Sequence, residues 1–194
     1  MTNKGHIFFI MWVSGSGKWT LRKNLEWESL TDSKFLKSYV TRPMREWEVN
    51  GDMYNFISEK EFQEDIKKNE FLEYEKVHDL NYYGTKYRDA ITEGIEVWKK
   101  VIKEVDMRGL KNIHKNHTEL KEYITSIFLD ISEEKLSERI EKRGAFMSEE
   151  ELNQRKKSLW DEKRDSKIYC NYIIDTSFIT PEEVLNKVLE IINK

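Results

Sequence analysis

Apolar and polar positions along the chain fall into blocks that predict strands and helices in turn. The apolar run from His6 to Val13 predicts a buried strand, and the segment Lys18 to Leu30 predicts the helix after it. Further strands are predicted over 35–40, 99–105, 123–131 and 169–175. Because strands and helices alternate, the pattern favours an α/β fold with a parallel, doubly wound sheet and helices on both faces.

The segment from Thr41 to about Ala90 has a different pattern and predicts a small inserted α+β unit. Short aromatic strands are expected at Tyr54–Ile57 and Phe71–Val77. Between them, Ser58 followed by Glu61 forms a capping-box signature, which predicts a helix over Glu59–Lys68.

The last third of the chain is strongly charged and then apolar again. Ser132–Arg143 predicts a charged helix, and Gly144–Ser166 is so rich in Arg, Lys and Glu that it must be largely solvated. A final helix begins after Thr180, which has proline at the first helical position and glutamate at the third. Its apolar positions recur at helical spacing and are expected to cover the sheet: Val184, Leu185, Val188, Leu189 and Ile192.

Composition narrows the class of protein. A chain of 194 residues fits one domain, and its formal net charge of −3 gives no reason to expect a nucleic-acid or membrane partner. One cysteine, Cys170, permits no internal disulfide, and no secretory signal or apolar run of membrane-spanning length is apparent. These features together predict a cytoplasmic protein.

The most specific motif lies between the first predicted strand and helix. A glycine-rich turn followed by lysine, in this position, predicts a phosphate-binding loop whose backbone N–H groups surround a nucleotide's phosphates. Lys18 is expected to reach the β- and γ-phosphates. A tight connection with no ligand is the alternative interpretation. The predicted ATP-binding residues are Trp12, Val13, Ser14, Gly15, Ser16, Gly17, Lys18, Trp19 and Thr20.

Several later segments carry a family resemblance. They are Ser38–Arg45 with Gly51, Tyr54 and Phe56 after it, then Asn69–Glu73, Asn81–Thr85 and Glu104–Gly109. In this order and spacing the chain resembles the guanylate kinases over essentially its whole length. The resemblance implies a P-loop kinase fold in a single domain, 1–194. Its expected parts are a core at about 1–40, 91–135 and 167–194, a GMP-binding subdomain at about 41–90, and a helical lid at about 136–166.

The resemblance assigns a GMP site, and the residue chemistry supports it. Paired arginines with tyrosine hydroxyls suit a dianionic phosphate, and a carboxylate suits the N1–H and exocyclic amine of guanine. Arg42, Arg45, Tyr54 and Tyr83 are the expected phosphate ligands. Glu73, helped by Ser38, Thr85 and Asp106, is the expected guanine reader, and Glu104 and Asp106 orient substrate or metal-bound water. The alternatives are a solvated basic turn for the arginines, an ordinary strand-face charge for Glu73, and a structural role for Glu104 or Asp106.

The implied activity is transfer of the γ-phosphate of ATP to GMP. The positively charged side chains expected to stabilise the transferring phosphoryl group are those of Lys18, Arg139, Arg143 and Arg155. Mg²⁺ would be carried by ATP near Thr20 and Asp106, with no dedicated set of protein ligands. The expected partners are ATP and GMP, and the chain is expected to be a monomer or homodimer. A helix-surface charge is the alternative for Arg139. Two other functions stay open: a catalytically inactive guanylate-kinase-like binding module, and a P-loop kinase of another small substrate.

Tryptophan stands where guanylate kinases commonly have glycine. Trp12 and Trp19 occupy such positions in the loop, and Trp47 and Trp98 occupy them elsewhere. Trp27 could stand in place of a helix-ending glycine, and Trp160 has no such explanation. A chain of this length ordinarily carries about 14 glycines. This one has 8 Gly and 6 Trp. We hypothesise that the gene uses a code in which one stop codon specifies glycine, so that tryptophan is written where the protein carries glycine. A drifted protein whose loop has lost its function is the alternative.

Overall fold

The computed structural model describes residues 4–13, 18–27, 30–77, 80–142 and 149–194. Its strands are β1 His6–Trp12, β2 Ser33–Phe35, β3 Ser38–Val40, β4 Tyr54–Phe56, β5 Phe71–Val77, β6 Asn81–Lys86, β7 Lys100–Glu104, β8 Ile124–Asp130 and β9 Tyr172–Asp175. Its helices are α1 Lys18–Trp27, α2 Glu59–Lys67, α3 Tyr87–Ala90, α4 Met107–Asn116, α5 Glu133–Lys142, α6 Glu149–Tyr169 and α7 Pro181–Ile192. A π-helical turn follows α3 at Ile91–Ile95, and a 3₁₀ segment precedes β8 at Thr118–Tyr123.

The strands form two sheets. One has five strands in the order β2-β7-β1-β8-β9, and its pairs β2·β7 and β8·β9 are parallel. The other has four strands in the order β4-β3-β6-β5, with β6 antiparallel to both β3 and β5. The predicted parallel strand pairs are therefore present, and the segment predicted as a mixed α+β unit contributes α2 and three strands of the separate four-stranded sheet.

The single strand predicted over 35–40 is wrong. Residues 33–35 pair with β7 in the five-stranded sheet, whereas residues 38–40 pair with β4 and β6 in the four-stranded sheet. Leu36 is buried and its N–H still donates to the carbonyl of Ile102 at 2.9 Å. The chain changes sheets within this apolar stretch, so the sequence pattern runs through the boundary without a break.

The chain divides into two compact units, and the first comprises residues 1–8 and 32–124. It contains the whole four-stranded sheet, and α2 places Phe62 against strands β5 and β6. The Phe62 ring stacks on Phe71 at 4.2 Å between centroids and on Tyr82 at 5.1 Å. The predicted capping box at Ser58 is confirmed, because its hydroxyl accepts from the N–H of Glu61 and the Glu61 carboxylate accepts from the N–H of Ser58.

The second unit comprises residues 9–31 and 125–194. Its last helix, α7, begins as predicted at Pro181 with Thr180 as the capping residue, and it packs against α1. From Glu149 onward, the charged segment predicted to be solvated forms the long helix α6, which still buries Leu159 and Ser166. Among the described helices, none is long and apolar enough to cross a membrane.

The sequence pattern did not predict α4 as a helix. Asp106 caps this helix by accepting the N–H of Gly109 at 2.7 Å, and the buried face carries Met107, Leu110 and Ile113. The apolar spacing is helical, but acids and glycine at its start are equally typical of a loop after a strand. This helix bears directly on the candidate site, because its cap is one of the predicted site residues.

Candidate functional site

Arg42 lies at the centre of the predicted phosphate site. It follows β3, and its guanidinium donates two hydrogen bonds to the two carboxylate oxygens of Glu48, each 2.6 Å long. The Glu48 carboxylate also accepts the backbone N–H of Arg45 at 2.9 Å. Chiefly through its hydrogen bonds with Arg42, the pKa of Glu48 falls to about 2, and the same pair raises the pKa of Arg42. Arg42 is therefore a permanently charged fork held in one orientation.

Two predicted tyrosines surround this guanidinium. The Cζ atom of Arg42 lies 5.1 Å from the ring centroid of Tyr54, and the hydroxyl of Tyr83 interacts with the guanidinium. The two tyrosine rings meet edge to face at 6.4 Å. Three of the four residues predicted to bind phosphate, Arg42, Tyr54 and Tyr83, are thus brought together.

Arg45 has a different environment. Its exposed side chain places the guanidinium carbon 5.7 Å from the ring centroid of Trp47, and Trp47 is itself 69% exposed. Its charge contributes to lowering the pKa of Glu48. Arg45 therefore borders the Arg42–Glu48 pair, while its side chain lies against the ring of Trp47.

The predicted guanine reader, Glu73, lies on β5 opposite Thr85 of β6. The buried Thr85 hydroxyl donates to Glu73 Oε1 at 2.5 Å. Burial of the carboxylate, chiefly, together with the charge of Asp106, raises the pKa of Glu73, while Lys103 and Thr85 oppose that rise. The predicted partner Ser38, on β3, accepts a hydrogen bond from Lys103 Nζ at 2.5 Å. Glu73, Thr85 and Ser38 are therefore connected, with Lys103 as an unpredicted fourth member.

Further carboxylates lie beside Glu73. Asp106 is exposed at the start of α4, and Glu104 is the half-buried last residue of β7. Glu75 is two residues after Glu73 on β5. Burial and a hydrogen bond with Asp106 raise the pKa of Glu75 to about 8. Arg108 pairs with Glu75 at 2.5 Å. Two acids therefore lie near Glu73: Asp106, which was predicted, and Glu75, which was not.

Gly109 allows these groups to come close. A Cβ atom on this residue would lie 2.6 Å from Val105 Cγ2 and 3.1 Å from Glu73 Oε2. A side chain there would push against the guanine reader and the cap of α4 together.

The predicted ATP-binding loop is described only at its ends. Trp12 ends β1, the next residue Val13 is buried, and α1 begins at Lys18. Residues Ser14, Gly15, Ser16 and Gly17 lie outside the described residues, as do the side chains of Lys18 and Trp19. Thr20 is exposed in the first turn of α1. Of the strand, turn and helix that the motif requires, the strand and the helix are therefore present in the described residues.

The predicted lid arginines are only partly described. Arg139 in α5 donates from Nη2 to the backbone carbonyl of Thr176 at 2.9 Å. Arg143 lies outside the described residues, and Arg155 belongs to α6 with its side chain outside them. Arg139 is thus attached to the segment after β9 and is not simply a solvated helix charge.

Sequence reasoning missed four residues: Glu48, Glu75, Lys103 and Gly109. For Lys103 a signal was available, because a lysine inside the strand predicted over 99–105 conflicts with burial unless it is paired. For Glu48, nothing in the spacing of the sequence identified Arg42 as its partner.

Comparison with known proteins identifies the family. The guanylate kinase family model matches residues 5–194. A guanylate kinase of Clostridium tetani is 40% identical over 164 residues, which cover 82% of this chain and 73% of that protein. One from Caldanaerobacter subterraneus is 33% identical over 187 residues, covering 96% and 84%.

A solved structure supports the fold. The crystal structure of guanylate kinase from Anaplasma phagocytophilum superposes with a TM-score of 0.69 at 22% identity, covering 99% of this chain and 86% of that chain. The fold is therefore the P-loop kinase fold that the sequence predicted. With the family model spanning nearly the whole sequence, the chain belongs to the guanylate kinase family of ATP-dependent nucleoside monophosphate kinases.

Proposed function

We propose that this chain transfers the γ-phosphate of ATP to GMP, giving ADP and GDP. One observation carries the substrate assignment: a single unit holds both a buried carboxylate suited to guanine and an oriented arginine suited to phosphate. Glu73 with Thr85 provides the first, and Arg42 with Glu48 provides the second. A phosphate-binding arginine alone would accept any nucleoside monophosphate, so the carboxylate is what favours guanine.

In this proposal GMP binding positions the acceptor. Arg42, Tyr54 and Tyr83 hold the monophosphate, with Arg45 at its edge, while Glu73, Ser38 and Thr85 read the base and Asp106 or Glu104 assists. A phosphate oxygen of GMP then attacks the γ-phosphorus of ATP, and the bond to the β-phosphate oxygen breaks. Positioning and positive charge supply most of the acceleration of such a transfer.

The ATP side rests on the loop motif and the arginines. Trp12 to Thr20 would surround the phosphates of ATP, Lys18 would place its ammonium on them, and Arg139, Arg143 and Arg155 would add charge from the lid. Each cation favours the transition state because negative charge spreads over the transferring phosphoryl group. Arg139, held by the carbonyl of Thr176, is the one whose guanidinium contact is described.

The donor chemistry fits Mg²⁺ bound with ATP. Magnesium takes oxygen ligands, usually phosphates, waters and one or two protein oxygens. Thr20 offers an exposed hydroxyl, and Asp106 offers an exposed carboxylate. When bound, the ion would neutralise charge on the phosphates of ATP. We further propose that the chain works in the cytoplasm as a monomer or homodimer without a nucleic-acid partner, which the charge balance and the lone Cys170 support.

The test is phosphoryl transfer from ATP to GMP, AMP, UMP and CMP, measured by product analysis with Lys18→Ala beside the parent. We expect GDP and ADP in equal amounts, little transfer to the other acceptors, and a loss of about a hundredfold or more in turnover for Lys18→Ala. Lys23→Ala, an exposed lysine on the same helix, is the matched control. Transfer to AMP as fast as to GMP would contradict the substrate assignment, and unchanged turnover in Lys18→Ala would contradict the role of the loop.

A further inference from the structure

Lys103 is a buried charge that the family assignment does not account for. It lies in the middle of β7 and is 3% exposed. Burying an ammonium costs free energy unless hydrogen bonds and an opposite charge compensate. Two such groups belong to the proposed guanine site: Nζ donates to Ser38 Oγ, and the charge of Lys103 acts on Glu73.

The hydrogen bond between Lys103 and Ser38 has a fixed direction. A lysine ammonium has donors and no acceptor, so Ser38 Oγ must be the acceptor. The Ser38 hydroxyl hydrogen must then point away from Lys103 and is available to another acceptor. Guanine presents a carbonyl oxygen, O6, where adenine presents an amino group that needs an acceptor. A serine held as a donor therefore favours guanine.

We propose that Lys103 is a positioning residue for guanine selectivity, acting by directing the Ser38 hydroxyl toward guanine O6 and by holding Glu73 as the carboxylate that accepts guanine's N1–H and amine. This inference rests on the proposed GMP site. It adds to that site a residue that does not itself touch the base.

The electrostatics of Glu73 agree with this role. Burial and Asp106 raise the pKa of Glu73, whereas Lys103 and the Thr85 hydroxyl lower it. Glu75, on the same strand, is a further acid near it and pairs with Arg108. Because Lys103 is the cation that opposes burial here, its removal should raise the pKa of Glu73 further. GMP affinity should then begin to fall at a higher pH as the solution is acidified.

The experiment measures dissociation constants for GMP and AMP by calorimetry on the full chain, in the parent, Lys103→Met and Lys100→Met. Methionine keeps the length and removes the charge, and Lys100 is a half-buried lysine on the same strand. We expect Lys103→Met to weaken GMP binding by about tenfold or more while AMP changes by less than about threefold. Lys100→Met should leave both affinities as in the parent.

Two further measurements separate this role from a structural one. The pH at which GMP affinity begins to fall on acidification should be higher in Lys103→Met than in the parent. It should be unchanged in Ser38→Ala, since only the lysine carries charge. Lys103→Arg should recover part of the preference for GMP. If Lys103→Met does not fold by circular dichroism, Lys103→Gln replaces it with the same expectations.

The outcomes distinguish the two proposals. Suppose that the parent prefers GMP and that Lys103→Met keeps both this preference and the pH at which GMP affinity begins to fall. That result would overturn the inference and leave the proposed function standing. A parent that binds GMP and AMP equally would overturn the proposed function and this inference with it.

Discussion

At the scale of single residues, the orientation of Arg42 depends on Glu48. The carboxylate holds both nitrogens of the guanidinium fork and is almost entirely buried. Glu48→Gln replaces one acceptor oxygen by a donor, so the fork loses one of its two bonds. We expect the Michaelis constant for GMP to rise about tenfold with little change in turnover at saturation.

Glu46→Gln is the matched control for this change, since Glu46 is an exposed acid on the same loop. Steady-state kinetics with GMP varied at saturating ATP provide the measurement. A Glu48→Gln enzyme with the parent's Michaelis constant would show that Arg42 does not contact the monophosphate.

Glu75 gives the protein a pH-dependent stability. Its pKa in the folded protein is about 8, above the ordinary value of 4.5. Between these values the folded state keeps a proton that the unfolded state releases, so this group makes stability fall as pH rises from 4.5 to 8. We expect Glu75→Gln to gain stability over the parent across this window, with a difference that grows with pH and then levels off.

Chemical denaturation at a series of pH values measures this difference, with the exposed Glu122→Gln as control. A stability difference between Glu75→Gln and the parent that does not vary with pH would mean that the Glu75 carboxyl titrates normally.

The sequence predicts which residues form the site better than it predicts which neighbours hold those residues in place. Arg42, Tyr54 and Tyr83 meet as expected, and Glu73 meets Thr85, because motif order and spacing carry that information. The partners that fix them, Glu48 and Lys103, could not be predicted from spacing. Lys103 is 65 residues from Ser38 in the chain, so only the sheet arrangement brings them together.

At the scale of elements, α4 begins against the guanine reader because its third residue is glycine. Alanine is ordinarily the better helix former by about 1 kcal/mol. In Gly109→Ala, however, the new methyl would lie 2.6 Å from Val105 Cγ2 and close to Glu73. We expect a net loss of about 1–3 kcal/mol in the free energy of unfolding, with weaker GMP binding.

Asn112→Ala, at an exposed position of the same helix, is expected to be neutral or slightly stabilising. Thermal denaturation and GMP titration of both variants make the comparison. Should Gly109→Ala bind GMP as tightly as Asn112→Ala, the close approach of α4 to Glu73 would have no functional consequence.

Elements with strong local signals could be predicted closely, and those defined by pairing could not. The capping boxes at Ser58 and Thr180 gave the starts of α2 and α7 because capping is a contact within four residues. The division of 35–40 between two sheets was missed because strand pairing is a contact between distant segments.

At the scale of the whole molecule, the tryptophans decide whether a protein with this sequence is an active enzyme. Trp47 and Trp160 are 69% and 64% exposed and Trp98 is 39% exposed, so none of these three is needed for a core. Trp12 ends a strand and is not among the described residues with positive φ, so the backbone there gives no reason for glycine. Glycine at position 12 is therefore favoured by the bulk that an indole places beside the loop.

We accordingly expect Trp12→Gly combined with Trp19→Gly to restore ATP binding and transfer to a recombinant protein that carries all six tryptophans. Calorimetry with ATP at matched magnesium is the measurement, and Trp160→Gly is the control. Equal ATP affinity in both proteins would refute the steric argument. A tryptophan-containing loop peptide in mass spectra of the native protein would refute the recoding hypothesis.

The central claim is that one unit of this chain recognises guanosine monophosphate through both base and phosphate, and it can be tested without ATP. Calorimetric titration of the chain with GMP, AMP and guanosine measures the two contributions separately. We predict that GMP binds at least about a hundredfold more tightly than AMP, because adenine lacks the N1–H that the Glu73 carboxylate would accept. Guanosine, which lacks the phosphate held by Arg42, should also bind far more weakly. AMP or guanosine binding within about threefold of GMP would contradict the account.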